Sequence, residues 1–341
     1  TVGGEVATTP PGKFLVPGET DAGKAFSATN GVFDSTAEFG AIVDGKATTI
    51  NLDGFWDVSN LTVKAGAPRY TFGTDVKQSL TVHATAGVFK VEAAAPAPTV
   101  VAHFGCWRYQ SLSSAGLGNA KNPKVWNDSS ETLVFDKMFY IEGIAPANSG
   151  EKAIEFRGTG DIKISGLSTY RNLIYLDLYQ TNGGKLIWDC DVRKRWDGNN
   201  WNQAGIRKIR CASSYTCEIE LTERGVLSGY TGMGPFESLA GKLTLSGPGT
   251  YLCNIGAKSA SNAPDGNIYI DQQNDVSGTL NVLAHIVSTT NNAGYQGGWC
   301  RYASTGTTVF NDNNDMTGWA RILTTTDYSA QSDHPTFSVS K

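Results

Sequence analysis

The chain is poor in methionine, histidine and charge. Its 341 residues include 3 Met and 4 His, and only 18% are charged. The 28 basic and 32 acidic residues nearly balance, which gives a formal net charge of -4. A protein that follows a phosphate backbone needs clustered lysine and arginine, and no basic stripe is visible here. The composition therefore argues against nucleic acid as a partner.

Long apolar runs are also missing. No segment approaches the roughly 18 apolar residues of a membrane helix, so we expect no membrane span. The opening stretch TVGGEVATTPPGKFLVPGET has no initiator Met, no basic segment and no apolar signal core. Such a start is typical of a processed N-terminus, and we expect a secreted or cell-surface protein.

The cysteines contain no Cys-x-x-Cys pair of the kind that binds zinc or performs redox chemistry. They are scattered singly, at Cys106, Cys190, Cys211, Cys217, Cys253 and Cys300. An even number in an exported chain favours disulfides. Cys211 and Cys217, separated only by ASSYT, are the pair that closes most easily, and the connectivity of the others stays open.

Helical patterns are nearly absent, and short alternating apolar and polar stretches such as NLTVKAG and KLTLSG end in turn residues. The pattern predicts an all-β fold with two alternatives: a parallel β-helix or tandem antiparallel β-sandwiches. Asp-Gly and Asn-Gly dipeptides are typical of sandwich hairpins. Strands that recur about 20 residues apart favour the β-helix. The recurring pairs are Leu61 and Leu80, Leu133 and Ile154, and Leu186 and Ile206.

Two segments carry a resemblance to a known repeat. LDGFWDVSNLTVKAGAPRYTFG and LAGKLTLSGPGTY resemble the autotransporter-associated β-strand repeat of secreted and surface proteins of bacteria. The matching residues are Trp56, Asn60, Leu61, Thr62, Val63, Ala65, Gly66, Tyr70, Thr71, Phe72, Leu243, Thr244, Leu245, Ser246, Gly247, Thr250 and Tyr251. The resemblance implies a right-handed parallel β-helix. After Tyr251 the chain departs from the Thr-Gly-Gly-Thr turn of that family.

The residues of NLTVKAG fit this interpretation. Alternation places Leu61 and Val63 on one face and Thr62 and Lys64 on the other, while Gly66 permits the positive φ that a corner needs. We therefore predict a solenoid over residues 46–341, with loop insertions and a C-terminal strand. Residues 1–45 are predicted to form an N-terminal arm or cap.

The stretch LIWDCDVRKRWDGNNWNQ holds the main candidate site. In one interpretation Asp189, Asp191, Asp197 and Arg193 serve a polysaccharide lyase or glycoside hydrolase, with the two first aspartates on one face of a strand. In a second, Trp196 and Trp201 stack on a sugar or a protein partner, and Arg193 and Arg195 bind an anionic group. In a third, the stretch is a solvated turn of the solenoid.

Three smaller predictions concern the rest of the chain. Phe337 and Val339 are predicted to lie on a terminal strand, which either closes its own solenoid as the last coil or is donated to a neighbouring copy for self-association. Asp312 and Asp315 in NDNNDMTGW form a weak calcium candidate, because the glycine is misplaced for an EF-hand, and no other cofactor is indicated. Asn60 and Asn127 begin glycosylation sequons.

The leading functional hypothesis follows from low charge, many small polar residues and no convincing acid and base constellation. It is an extracellular structural or adhesive solenoid without catalytic activity, and the repeating subunit of a filament or matrix is one form that it can take. Its expected partner is a further copy of the chain or an extracellular glycan. The alternative is a polysaccharide lyase or hydrolase, or a carbohydrate-binding protein without catalysis.

Overall fold

A computed structural model describes 18 stretches of the chain. They are residues 36–41, 48–52, 55–58, 60–75, 78–83, 87–107, 123–141, 154–169, 174–191, 195–196, 201–202, 206–228, 235–236, 239–253, 271–288, 299–303, 307–310 and 314–315. These residues form strands and turns and contain no helix. The chain divides into two compact units, the first of residues 1–171 and 180–186 and the second of residues 172–179 and 187–341.

The first unit contains strands β1 to β15. They are β1 Thr36–Phe39, β2 Thr49–Ile50, β3 Phe55–Val58, β4 Asn60–Val63, β5 Thr71–Phe72, β6 Ser79–His83, β7 Val88–Val91, β8 Thr99–Val100, β9 His103–Trp107, β10 Lys124–Asn127, β11 Leu133–Phe135, β12 Met138–Ile141, β13 Ile154–Gly158, β14 Ile162–Ile164 and β15 Leu167–Thr169. Every third strand pairs in parallel, so three sheets run β1-β4-β7-β10-β13, β2-β5-β8-β11-β14 and β3-β6-β9-β12-β15. This order is compatible with a parallel β-helix.

The second unit contains β16 to β30, apart from Gln180 and Leu186. These strands are β16 Ile174–Gln180, β17 Leu186–Trp188, β18 Arg195–Trp196, β19 Trp201–Asn202, β20 Ile206–Cys211, β21 Thr216–Leu221, β22 Val226–Ser228, β23 Lys242–Ser246, β24 Thr250–Cys253, β25 Asp271–Asp275, β26 Thr279–Val282, β27 His285–Ser288, β28 Trp299–Ala303, β29 Thr307–Phe310 and β30 Asn314–Asp315. The sheets run β16-β20, β17-β21-β23-β26-β29, β22-β24-β27-β30 and β25-β28.

The direction of strand pairing bears on the choice between the two predicted architectures. Among the described strands, the antiparallel pair is the hairpin of β18 and β19, and the long sheets are parallel. Tandem antiparallel sandwiches do not fit such sheets, because their neighbouring strands alternate in direction. The all-β prediction is confirmed, and the long parallel sheets agree with a solenoid.

The residues of β4 behave as the sequence predicts. Leu61 and Val63 are buried, whereas Thr62 and Lys64 are partly exposed on the opposite face. Gly66 follows with a φ of 79°, in the region that favours glycine. In register, Leu61 lies between Ala37 of β1 and Phe89 of β7.

The predicted repeat of about 20 residues is wrong. Leu61 and Leu80 lie in β4 and β6, which belong to different sheets, and the residue opposite Leu61 is Phe89. Likewise, Leu133 lies opposite Ile162 rather than Ile154. The spacing in the sequence measured the distance between sheets around one coil. Strands that pair within one sheet lie farther apart in the sequence, with 28 residues from Leu61 to Phe89 and 29 from Leu133 to Ile162.

Aromatic rings fill the core of the first unit. Phe39 and Phe72 have ring centroids 4.8 Å apart, and Phe104 and Phe135 are 4.5 Å apart. Phe89 contacts both Phe104 and Phe135. Complete burial of such a side chain stabilises a fold by about 1.5–3 kcal/mol, so this stack is a major source of stability. The second unit buries Trp188, Phe236 and Tyr251 in its own core.

The predicted N-terminal arm or cap and the predicted C-terminal strand are tested only in part. Strand β1 lies within the segment predicted as an arm or cap, and it pairs in parallel with β4. Residues 1–35 and 316–341 lie outside the described residues, so the rest of the arm and the terminal strand are not placed. Within the described part of the chain, no helix is long and apolar enough to cross a bilayer.

Candidate functional site

The aspartates predicted to share one strand face are separated by a corner. Strand β17 ends at Trp188, Asp189 and Cys190 follow outside it, and Asp191 forms a bridge with Val226. The prediction that Asp189 and Asp191 alternate along one strand is therefore wrong. Trp188 is fully buried and its Nε1 donates to the Val226 carbonyl at 3.1 Å, which makes the indole part of the core.

Asp189 is held by the turn that follows β21. Arg224 donates from Nε to Oδ1 and from Nη2 to Oδ2, each at 2.7 Å, and Thr222 donates its hydroxyl to Oδ1 at 2.5 Å. The Asp189 side chain is 8% exposed and that of Arg224 is 65% exposed. Bidentate pairing with arginine is a strong, geometrically specific interaction of a carboxylate. Asp189 thus joins the end of β17 to the turn after β21, the neighbouring strand of the same sheet.

Cys190 lies beside this ion pair in a fully buried position. Burial raises the pKa of the Cys190 thiol well above its usual value, and the charges of Asp189 and Asp191 raise it further. A thiol in this setting stays protonated near neutral pH, so Cys190 is not activated as a nucleophile.

A second bidentate pair was not found from the sequence. In β16 and β20, Asp177 lies opposite Arg210, whose Nε and Nη2 donate to the two carboxylate oxygens at 2.5 Å and 2.8 Å. Alternation places both side chains opposite the core residues Leu178 and Ile209. Asp177 is only 4% exposed. In the sequence, each of the two residues is a charged position between apolar ones, in LDL and in IRC. This pattern marks both residues as unusual, but it does not show that they are partners.

The outer face of the first unit carries a row in which a tryptophan lies between two basic residues. Lys90, Trp126 and Arg157 are aligned in register on β7, β10 and β13. The Lys90 ammonium lies 4.9 Å from the centroid of the Trp126 ring, and the Arg157 guanidinium carbon lies 5.9 Å from it. The Trp126 indole donates to Asp128 at 2.7 Å. A partly exposed indole therefore lies between two cations.

The same face continues with ion pairs beside β4. Lys64 lies 3.1 Å from Glu92 and 3.3 Å from Glu38. The Ala65 backbone N–H donates to Glu92 at 3.0 Å, and this bond, with the attraction of Lys64, holds the pKa of Glu92 below its ordinary value. The hydrogen bond to Glu92 in turn raises the pKa of Lys64.

Asn127, predicted as part of a sequon, is completely buried at a corner of the first unit. Its amide donates to the Glu131 carbonyl at 2.8 Å and to the Asp161 carbonyl at 2.7 Å, and its oxygen accepts from Ser129 N–H at 3.1 Å. A Cβ on Gly158 would lie 2.0 Å from the Asn127 carbonyl oxygen, so the neighbouring coil needs glycine there. The folded chain does not offer this amide for glycosylation.

The predicted disulfide partners are close but unbonded. Cys211 at the end of β20 and Cys217 in β21 have sulfurs 3.3 Å apart, longer than the roughly 2.05 Å of a disulfide. Cys190, Cys211 and Cys217 are buried, and none of the three forms a disulfide. The side chains of Cys106, Cys253 and Cys300 are not described.

The remaining predicted residues are only partly placed. Arg195 pairs with Asn202, and Trp196 with Trp201, in the β18 and β19 hairpin, whose side chains are not described. Asp315 lies in β30. Arg193, Asp197, Asp312, Phe337 and Val339 fall outside the described residues. Among the residues that are described, no group of His, Cys, Asp and Glu is arranged to hold a metal ion.

Comparison of the chain with models of protein families, with curated proteins and with solved structures finds no match.

Proposed function

We propose that this chain is an extracellular or cell-surface structural or adhesive protein, built as a right-handed parallel β-helix and serving as a repeating subunit of a filament or matrix without catalytic activity. The observation that carries the proposal is the set of hydrogen bonds made by the Asp189 carboxylate. Its carboxylate is fully engaged by Arg224 and Thr222, so it serves coil-to-coil attachment instead of proton transfer.

The outer faces support the same proposal. Their ion pairs repeatedly join successive coils, as Lys64 with Glu92 and Asp177 with Arg210 do. Stacked coils contact mainly their neighbours, so such pairs add attachment at each step of a solenoid. The likeness of NLTVKAGAPRYTF and KLTLSGPGTY to the autotransporter-associated β-strand repeat also favours a secreted or surface protein.

Assembly is tested with the full chain by negative-stain electron microscopy and by mass in solution over a concentration series. We expect fibres one solenoid wide and a mass that rises with concentration, because exposed strand edges pair with further strands. A monodisperse monomer at all concentrations would overturn the filament proposal.

Catalysis is tested separately on an acidic polysaccharide. We expect no turnover by the wild-type protein, and we expect Asp191→Asn to assemble normally. Turnover that Asp191→Asn abolishes while the fold is retained would establish the lyase or hydrolase alternative instead. Asp189→Asn is less informative here because it also weakens the attachment of Arg224.

One observation favours glycan binding as a second candidate function. Trp126 offers apolar ring area beside Lys90 and Arg157, whose side chains are 36% and 27% exposed. An indole next to cations suits a sugar that carries a carboxylate or sulfate, since the ring edge packs on carbon and the acid group can compete with Asp128 for Lys90 and with Glu155 for Arg157.

Calorimetric titration with polygalacturonate and with neutral dextran tests this candidate. We expect binding of the acidic polymer only, and a loss of about tenfold in Trp126→Ala, which is near 1.4 kcal/mol. Lys163→Ala, a change at a partly exposed lysine on another sheet, is the matched control and should bind normally. Equal affinity of all three proteins would exclude the Trp126 row as the site.

A further inference from the structure

The corner between β20 and β21 brings two thiols together in a sealed position. Cys211 is 1% exposed and Cys217 is 2% exposed, and their sulfurs are 3.3 Å apart. The intervening turn is closed by a bond from Tyr215 N–H to the Ala212 carbonyl at 2.9 Å. Forming a disulfide requires the sulfurs to approach by only about 1.3 Å.

Backbone bonds fix both cysteines at this corner. Cys211 lies in register with Leu178, and its carbonyl accepts from Gly241 N–H at 2.8 Å. Cys217 lies in register with Leu243 of the next coil. A Cβ on Gly241 would lie 2.6 Å from the Cys211 sulfur, so glycine in the neighbouring coil makes room for that thiol. The neighbouring strands β16 and β23 thus fix the backbone positions of the two cysteines.

We infer that Cys211 and Cys217 form a two-electron dithiol site, which small disulfides such as oxidised glutathione convert to an internal disulfide across this corner. Each thiol has the other within reach of disulfide closure, and either can attack first once the corner is open. Cys190 has no such neighbour among the described cysteines, and burial raises the pKa of its thiol.

The chemistry balances with glutathione disulfide as the oxidant. With Cys211 attacking first, its thiol gives a proton to water and the thiolate attacks one sulfur of glutathione disulfide; that S–S bond breaks, and one glutathione leaves as a thiolate that takes up a proton. Cys217 then loses its proton and attacks the Cys211 sulfur of the mixed disulfide, which releases the second glutathione. The products are the same if Cys217 attacks first. The two protein thiols are oxidised by two electrons and one disulfide is reduced to two thiols.

Burial determines when this reaction occurs. Glutathione does not reach sulfurs that are 1% and 2% exposed in the folded protein, so oxidation takes place while the corner is open, during folding or local unfolding. Once closed, the ring stabilises the fold by restricting the unfolded chain, which raises the melting temperature by about 5 °C. The inference uses the proposed export only for the source of oxidant, and purified protein tests it independently.

Peptide mapping is the decisive experiment because trypsin cuts after Arg210 and Arg224 and releases both cysteines in one peptide, CASSYTCEIELTER. The full chain is refolded in a glutathione redox buffer, denatured in the presence of N-ethylmaleimide so that every free thiol is blocked, digested with trypsin and analysed by mass spectrometry. We expect this peptide to be two hydrogens lighter and unmodified, and to take two maleimides only after reduction. Two maleimides without reduction, or a link from either cysteine to another peptide, would overturn the inference.

Variants provide the second measurement. In Cys190→Ala we expect the reductant to lower the melting temperature as in the wild type, whereas in Cys217→Ala this difference should vanish. Because Cys217→Ala also removes a buried side chain, only the difference between oxidising and reducing conditions is compared. An equal difference in both variants would contradict the assignment, and the peptide map of the wild-type protein decides the question even if a variant fails to fold.

Discussion

Two corners of the molecule each bury a polar side chain, which is neutral in one corner and charged in the other. In the first unit, the neutral amide of Asn127 is 0% exposed and bonds three backbone groups. In the second unit, the corner after β17 uses the charged Asp189, which needs Arg224 from the following coil as a counter-ion. A neutral group is buried completely because the backbone alone satisfies it. A charged group is buried only with a partner that remains largely in solvent.

The largest effect is expected from Asn127→Ala. The change leaves the Glu131 and Asp161 carbonyls and the Ser129 N–H without this partner inside a buried corner, and we expect a loss of about 3 kcal/mol in the free energy of unfolding. Urea unfolding followed by circular dichroism measures it. Thr159→Ala, an exposed change at the same corner, should stay within about 0.5 kcal/mol. Similar losses in both variants would show that the amide bonds contribute little.

The charged corner should respond asymmetrically to loss of either partner. Arg224→Ala removes the bidentate counter-ion of the buried Asp189 carboxylate, and we expect a loss of about 2 kcal/mol in the free energy of unfolding. Asp189→Asn removes the charge that had to be buried and leaves an exposed arginine, so we expect about half that loss. The same urea experiment applies. A greater loss in Asp189→Asn would mean that the pair is attractive beyond its desolvation cost.

Gln180 is a second buried amide, and it differs from Asn127 because no described residue is hydrogen-bonded to its side-chain polar atoms. It is 0% exposed, and neither its amide nitrogen nor its oxygen has a hydrogen-bond partner among the described residues. We expect Gln180→Met to raise the free energy of unfolding by about 1 kcal/mol, since an unsatisfied polar group leaves the interior. The midpoint of urea unfolding should rise at constant slope. A fall would indicate that an ordered water satisfies the amide.

The smallest effect is expected at the exposed ion pair of Lys64 and Glu92. The folded protein holds the pKa of Glu92 below 4.5, so the unfolded chain binds the proton more readily. The contribution of Glu92 is therefore present above pH 4.5 and is lost as the pH falls through its lowered value.

Glu92→Gln tests this assignment. We expect Glu92→Gln to be slightly less stable than the wild type at pH 7, and this difference to vanish as the pH falls and Glu92 becomes protonated, so the variant loses less stability below pH 4.5. Thermal unfolding across a pH series measures the slope. An unchanged slope would mean that other carboxylates account for the acid sensitivity.

The strands were predictable where alternation alone determines them. NLTV and KLTLS are strands β4 and β23, with Leu61, Val63, Leu243 and Leu245 buried. Alternation is a local property of the chain, so a single sequence is enough to detect it.

The attachments between coils were not predictable from such local patterns. Asp189 is 35 residues from Arg224, and Asp177 is 33 residues from Arg210. These partners are set by the length of a whole coil, which the sequence does not reveal because corners vary. Asn127 was misleading for the same reason, since its short motif reads as a surface sequon, while its bonding partner Asp161 comes from the next coil.

The unequal corners also affect how such a chain can change over evolutionary time. Thr36 lies opposite Asn60, Thr71 opposite Thr99, and Leu243 opposite Leu280, so the ladders stay in step although the intervening lengths differ. Insertions or deletions confined to a corner leave this pairing intact. Related genes can therefore differ in length at many corners and keep the same ladder, and the corners are the natural places to graft a peptide for display.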